Sequence, residues 1–276
     1  MIAPRPVHAA FLLTLVLAGA LQLGGQAPAQ EQAAQKPYEP QVGQEGKDVV
    51  WVPTSDALVE QMLDLAKLTP EDYLIDLGSG DGRTVIAAAR RGVRAHGIEF
   101  NPEMVALSRS KAVAANIVGR ATFEEGDLFE SDLSKATVIT MFLLPDINLK
   151  LRPTLLDLEP GTRIVSNSFD MGEWEEDERA TVTEDCSSWC TALLWIVPAK
   201  VAGVWRLPQG TLRLQQEFQK ISGTLGSAAI SSGEVRGTEV TFTAGGVTYS
   251  GRLEGDTLRG TLKGALGGRW SATRAD

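Results

Sequence analysis

Histidine is nearly missing from this chain, and its absence removes more chemistry than any other feature of the composition. Only His8 and His96 occur in 276 residues. His8 falls in an N-terminal segment read below as a leader, so a Ser-His-Asp relay would have to use His96, which sits in a stretch read as a buried strand. A zinc site would lack ligands for the same reason, and no metal is expected. Cysteine is equally scarce, with Cys186 and Cys190 alone. Basic residues are in deficit: 26 Lys and Arg stand against 35 Asp and Glu, a formal charge of −9. Phosphate backbones demand a concentrated basic surface, so no nucleic-acid partner is expected.

Long apolar runs are also lacking. The run over residues 11–21 is shorter than the ~20 residues a spanning helix needs. It follows Arg5 and His8 and precedes the small-residue pattern Ala27-Pro28-Ala29, so residues 1–29 read as a secretory signal peptide. The chain is then expected to be exported, periplasmic or secreted, with membrane anchoring only if the segment stays uncleaved. Residues 30–47, rich in Gln, Ala, Pro and Glu, read as an extended linker. In an exported protein Cys186 and Cys190, flanking Ser187-Ser188-Trp189, are expected to form a short-loop disulfide rather than a metal or redox pair.

What is present begins at Tyr73-Leu74-Ile75-Asp76-Leu77-Gly78-Ser79-Gly80-Asp81-Gly82-Arg83, an apolar strand that ends in a carboxylate and opens into a glycine turn. Glycines let the backbone approach a ligand, and the helix that follows offers N-terminal amides to an anion such as a methionine carboxylate. A second acid, Glu99, ends the next strand where an open α/β sheet places its ribose-binding carboxylate. A dinucleotide fold fits poorly: Gly82 comes one residue early for G-x-G-x-x-G, and Arg83 stands where close helix packing wants Gly or Ala. Asp76 would oppose a pyrophosphate but welcome the cationic amine of S-adenosylmethionine.

Periodicity supplies the frame. It predicts a helix capped at Thr54 or Ser55, a strand over 73–77, a helix over 82–91 and a strand over 95–99. A helix opening at Pro102, strands over 121–125 and 138–143, a helix over 147–158, a strand over 163–167 and an antiparallel pair over 181–184 and 191–197 follow. This alternation implies a Rossmann-like α/β domain over 48–198, with helices on both faces of a mostly parallel sheet. Half of the 28 glycines fall between Gly203 and Gly268. There, echoes such as Tyr249-Ser250-Gly251-Arg252-Leu253 and Leu258-Arg259-Gly260-Thr261-Leu262 imply a small antiparallel β domain over 202–276, a barrel or curved sheet with Trp205 and Trp270 as core anchors.

The segments Val52-Pro53-Thr54, Asp76 to Arg83, Glu99-Phe100-Asn101-Pro102 and Phe142-Leu143-Leu144-Pro145 resemble the seven-β-strand methyltransferases related to the mitochondrial ATP synthase c-subunit lysine methyltransferase and its bacterial relatives. The likeness covers residues 48–198. It implies methyl transfer from S-adenosyl-L-methionine to a protein lysine or a small molecule. Asp76, Gly78, Ser79 and Gly80 are assigned to the methionine end, Glu99 to the ribose hydroxyls, and Asp127 with Leu128 to the adenine. Asn101 either meets the cofactor or caps the helix at Pro102, and Asp127 either meets the adenine or caps a short helix around Phe129. Tyr38, Trp51, Pro53, Thr54, Leu144, Pro145 and Asp146 are the expected walls of the acceptor site, and no residue is assigned as a general base. The Asn/Asp-Pro-Pro-Tyr/Phe acceptor motif of many amino-directed methyltransferases is absent after the fourth strand. The alternative is an exported binding protein built on a catalytically retired methyltransferase fold.

Overall fold

A computed structural model describes residues 38–264 and 267–275 of the chain. The expected leader and the first part of the expected linker lie outside the described residues. Among the described residues no helix is long and apolar enough to cross a membrane.

Ser55 opens α1 (Asp56–Leu65), its hydroxyl accepting the Leu58 amide at 3.2 Å. Next come β1 (Tyr73–Leu77), α2 (Arg83–Arg90), β2 (Arg94–Glu99), α3 (Pro102–Ala114), β3 (Ala121–Glu125), β4 (Val138–Met141), α4 (Pro145–Leu156), β5 (Arg163–Asn167), β6 (Glu178–Thr181) and β7 (Thr191–Ile196). They form a seven-stranded sheet in the order β3-β2-β1-β4-β5-β7-β6. The first five strands are parallel, whereas β7 runs antiparallel to β5 and β6 antiparallel to β7. The strand order reverses direction between β1 and β4, and a crevice opens at their carboxyl ends.

Strand alternation decides which face each residue serves. Leu74, Val138 and Val165 pack with α1 and α2, while Ile75, Ile139 and Ile164 pack on the opposite face with Leu151 and Leu155 of α4. Two boundaries differ from the periodicity. The fourth strand stops at Met141 and its helix starts at Pro145, because proline is preorganised for the first helical position. Likewise β6 ends at Thr181 rather than covering 181–184, since the chain turns there: Val182 N–H donates to Cys190 C=O at 2.9 Å and Cys186 is bonded to Cys190, with Cα atoms 5.8 Å apart. So short a loop removes little chain entropy, and C186S/C190S is expected to cost about 2 kcal/mol or less in urea unfolding.

Strands β8 (Gly203–Leu207), β9 (Gly210–Glu217), β10 (Lys220–Leu225), β11 (Ala228–Arg236), β12 (Glu239–Ala244), β13 (Val247–Glu254), β14 (Thr257–Lys263) and β15 (Gly268–Arg274) close into an eight-stranded antiparallel barrel. Its interior is filled: Trp205 is fully buried, and Phe242, Tyr249 and Trp270 pack face to face or edge to face. Gly251 pairs with Gly260, and a Cβ at Gly251 would press on the Trp270 ring at 2.7 Å, which explains the glycine echo.

The barrel is packed onto the α/β domain. Phe218, in the β9–β10 turn, stacks on Trp174 with centroids 6.2 Å apart and joins the α4-side core. Gln219 Nε2 donates to Glu175 C=O at 2.8 Å, and Arg236 pairs with Glu178.

Candidate functional site

A cavity of about 240 Å³ lies at the carboxyl ends of β1 and β4. Its floor is the glycine turn. Gly78, Gly80 and Gly82 all have positive φ, and a Cβ at Gly80 would meet Trp51 Nε1 at 2.6 Å. Ser108 Oγ holds the Gly80 carbonyl at 2.9 Å, and the Gly78 and Ser79 amides both donate to Ile98 C=O. The turn is therefore preformed.

Asp76 is buried beneath it, accepting from Thr140 Oγ1 at 2.7 Å. Burial pushes its carboxyl up to about 7; the Thr140 hydrogen bond opposes this, and the charges of Glu99 and Asp81 add to it. A carboxylate so destabilised is suited to a cationic partner. Glu99 spans two elements, its Oε2 accepting the Gly80 amide at 2.8 Å and its Oε1 the Asn101 amide at 2.9 Å. Asn101 caps α3, with Oδ1 accepting from Glu103 and Met104, and it also lines the cavity. Asp127 Oδ1 accepts the Phe129 amide at 2.9 Å, closing a turn where no helix forms, and its Oδ2 receives Lys47 Nζ at 2.5 Å. That hydrogen bond, first of its causes, holds the Asp127 carboxyl below the usual range. Leu128 completes this end.

All eight residues expected to hold the cofactor thus line one cavity. At the N-terminus of α2, Asp81 Oδ1 accepts the Arg83 amide at 3.4 Å, and Arg83 and Lys111 pair with its oxygens. Burial works against this charge, but the two cations outweigh it and lower the Asp81 pKa.

Of the expected acceptor walls, Trp51, Pro53, Thr54 and Leu144 line the cavity. Thr54 is fixed twice, its carbonyl accepting from Arg83 Nη1 at 2.7 Å and its hydroxyl from Asn167 Nδ2 at 3.2 Å. Tyr38, Pro145 and Asp146 stand outside the lining. Tyr38 OH accepts from Gln44 Nε2 at 2.6 Å, and Pro145 and Asp146 form the exposed first turn of α4.

The end of the expected linker takes part instead. Gly43 N–H donates to Trp51 C=O and Trp51 N–H to Gln44 C=O, making a short hairpin whose residues 44–51 line the cavity, with Lys47 Nζ 4.7 Å from the centre of the Phe100 ring. Composition concealed it, because few of these residues are apolar. Phe142, the first residue of the Phe142-Leu143-Leu144-Pro145 segment, lines the cavity as well, and so do Phe169 and Trp189, which no motif flagged. Their positions after β4, after β5 and between the cysteines were the available signal, since ligands gather at the carboxyl ends of an open sheet.

His96 lies on β2 with Nδ1 2.8 Å from Thr122 Oγ1 and Nε2 3.4 Å from Glu124, and it takes no part in the cavity. Among the described residues no cluster could hold a metal ion.

Residues 76–178 match the ANTKMT methyltransferase domain. The chain is 40% identical over 152 residues to a protein-lysine N-methyltransferase of Saccharolobus islandicus, an alignment covering 54% of this chain and 94% of that protein. It is 35% identical over 128 residues to the ATP synthase C-subunit lysine N-methyltransferase of Mus musculus, covering 46% of this chain and 51% of that one. The chain thus spans about half the length of the mouse relative. Among solved structures, an RNA methyltransferase of Salinibacter ruber in complex with S-adenosyl-L-homocysteine is 46% identical with a TM-score of 0.51, covering 54% of this chain and 96% of that one.

Proposed function

Because this chain belongs to the S-adenosylmethionine-dependent methyltransferases that share the ANTKMT methyltransferase domain, we propose that it methylates the side-chain amine of a protein lysine. The family membership removes the retired-fold alternative: the protein is an enzyme and its cofactor is S-adenosyl-L-methionine. The observation that carries the acceptor reading is the charge of the cavity. Its lining holds six acidic side chains against the two cations Lys47 and Arg83; with Asp76, Glu99 and Asp127 given to the cofactor and Asp81 paired with Arg83 and Lys111, Glu45 and Asp48 of the hairpin are left to face an acceptor. Such a cleft attracts a cationic acceptor and repels a phosphate backbone. That the Saccharolobus relative is a protein-lysine N-methyltransferase supports the same choice. The Salinibacter relative is an RNA methyltransferase, but the −9 charge of this chain opposes an RNA acceptor.

The chain's own groups fit the cofactor. Asp76 would receive its ammonium, Glu99 its ribose hydroxyls through lone pairs left free by the backbone amides, and Asp127 with Leu128 its adenine end. When bound, S-adenosylmethionine supplies a sulfonium methyl already activated for displacement by a neutral amine, the S–C bonding pair returning to sulfur. Met141, Leu143 and Trp51 exclude water from the floor, and the preformed turn aligns acceptor and methyl, so proximity carries the rate. The lysine ammonium gives its proton to water at the open mouth before the neutral amine attacks, and the methylated amine takes up the positive charge that leaves the sulfonium. Four of the exposed large apolar residues, Val50, Phe100, Leu144 and Trp189, ring that mouth, as suits docking of a polypeptide rather than a small polar molecule. The bonded Cys186–Cys190 pair supports work in an oxidising compartment, in keeping with export.

Incubating the full chain with methyl-labelled S-adenosylmethionine and either poly-L-lysine, the same polymer with blocked amines, or total RNA tests the acceptor. Label recovered as methyl-lysine from the unblocked polymer alone is expected; label in RNA alone overturns the reading. For the cofactor, E99Q is expected to weaken S-adenosylhomocysteine binding by about ten- to hundredfold in calorimetry, since a charge-assisted hydrogen bond is worth about 1.5–3 kcal/mol. E99A is the poorer probe because it also strands the Gly80 and Asn101 amides.

A further inference from the structure

The cavity changes character at one end of its mouth. Phe142 stacks on Phe169 with ring centroids 5.9 Å apart and planes 17° off parallel, and Trp189 lies 5.9 Å from Phe142, tilted by 58°. All three line the cavity. The rings come from three separate places in the chain, each held by a device of its own. Phe142 follows β4 directly. Phe169 sits beyond a sharp turn at Ser168, whose φ is 60°, and its carbonyl is clasped by Ser166 Oγ at 2.7 Å and by the buried Asn148 Nδ2 at 3.1 Å. Trp189 has a φ of 54° and lies in the five-residue loop that the Cys186–Cys190 bond closes. It remains 46% exposed, so packing does not hold it there; the crosslinked loop does.

We propose that Phe142, Phe169 and Trp189 form an aromatic wall that captures the alkylammonium group of the acceptor at the mouth, and that the Cys186–Cys190 crosslink is the positioning element for its third ring. The inference rests on the lysine reading given above. Aromatic faces carry negative charge density and attract alkylammonium ions, most strongly when the ring is that of tryptophan. Their flat apolar surfaces also cover the methylene stem of a lysine. Trp189 is thereby a specificity residue: it acts on acceptor capture and shares no hydrogen bond with Asp76, Glu99 or Asp127. The crosslink matters through Trp189 rather than through global stability, because the loop it closes is short.

The test uses the full chain, oxidised, with poly-L-lysine as acceptor. W189A is expected to raise KM for poly-L-lysine about three- to thirtyfold, with kcat and the Kd for S-adenosylhomocysteine changed less than twofold. W189F, which keeps an aromatic face, should recover most of the loss. Reducing the parent with dithiothreitol, or introducing C186S/C190S, should raise KM in the same direction, and reduction should add little in the W189A background because the ring it positions is gone. Methyl transfer by the parent with an unaltered KM in W189A overturns this inference alone. So does a matching loss of S-adenosylhomocysteine affinity, which would mark a collapsed site. A parent that transfers no methyl to any lysine overturns the acceptor reading and this inference with it.

Discussion

Replacing Asp76 by asparagine should abolish useful cofactor binding while making the ligand-free protein more stable at neutral and higher pH. The two effects share one cause. Asp76 is buried with a single hydroxyl partner, Thr140, and carries a pKa pushed up to about 7 from 3.8. An unfolded chain would ionise this group near 3.8, so between that value and about 7 the native state binds more protons than the unfolded one. Stability therefore falls as pH climbs through this window and the penalty is constant above it. D76N removes the penalty, so its gain in melting temperature over the parent should be absent at the acidic end, grow through the window, and level off above about pH 7.

Cofactor affinity should move the other way. The carboxyl must lose its proton to meet an ammonium, so parental affinity for S-adenosylhomocysteine should rise with pH up to about 7, with a proton released on binding below that value. Removing one partner of a buried pair costs about 3–5 kcal/mol, or roughly a hundred- to several-thousandfold in Kd. Calorimetry in two buffers of different ionisation enthalpy reads both the affinity and the proton. A D76N protein that binds as tightly as the parent would remove Asp76 from the methionine end.

The second large effect is expected at Trp174→Ala. Trp174 is fully buried between Trp195, 6.3 Å away, and Phe218 of the barrel, 6.2 Å away, and its carbonyl accepts from Trp195 Nε1 at 2.7 Å. Truncating a buried tryptophan costs about 3–5 kcal/mol. Here the loss falls where the barrel meets the sheet. We therefore expect W174A to lower the main transition by that amount and to separate it into two, with the barrel melting apart from the cofactor-binding sheet. Differential scanning calorimetry with and without S-adenosylhomocysteine distinguishes them, since the ligand should shift only the sheet's transition. A single transition displaced as a whole would show that the two parts unfold as one unit through other contacts, such as Arg236 with Glu178.

Much of this protein is legible in its sequence. The strand ending in Asp76, the glycine turn, Glu99 at the next strand end and Asp127 after the third can be read because each is local: a strand's alternation, a positive φ that only glycine takes freely, and an acid at a strand terminus are properties of a few consecutive residues. The barrel's glycine echoes are legible for the same reason, as each marks a close cross-strand approach.

Only the tertiary structure decided what depends on residues distant in the chain. It gave the Glu99 carboxylate two backbone amides, from Gly80 and Asn101, and paired Asp81 with Arg83 and Lys111 at the start of α2. The polar segment around Lys47 became a wall by pairing with Asp127, 80 residues away. Phe142, Phe169 and Trp189 met at the mouth, and Phe218 lodged against Trp174. A polar hairpin, a lone ring after a strand and a tryptophan between cysteines carry no periodicity, so sequence patterns cannot place them; packing and charge pairing across the folded chain do.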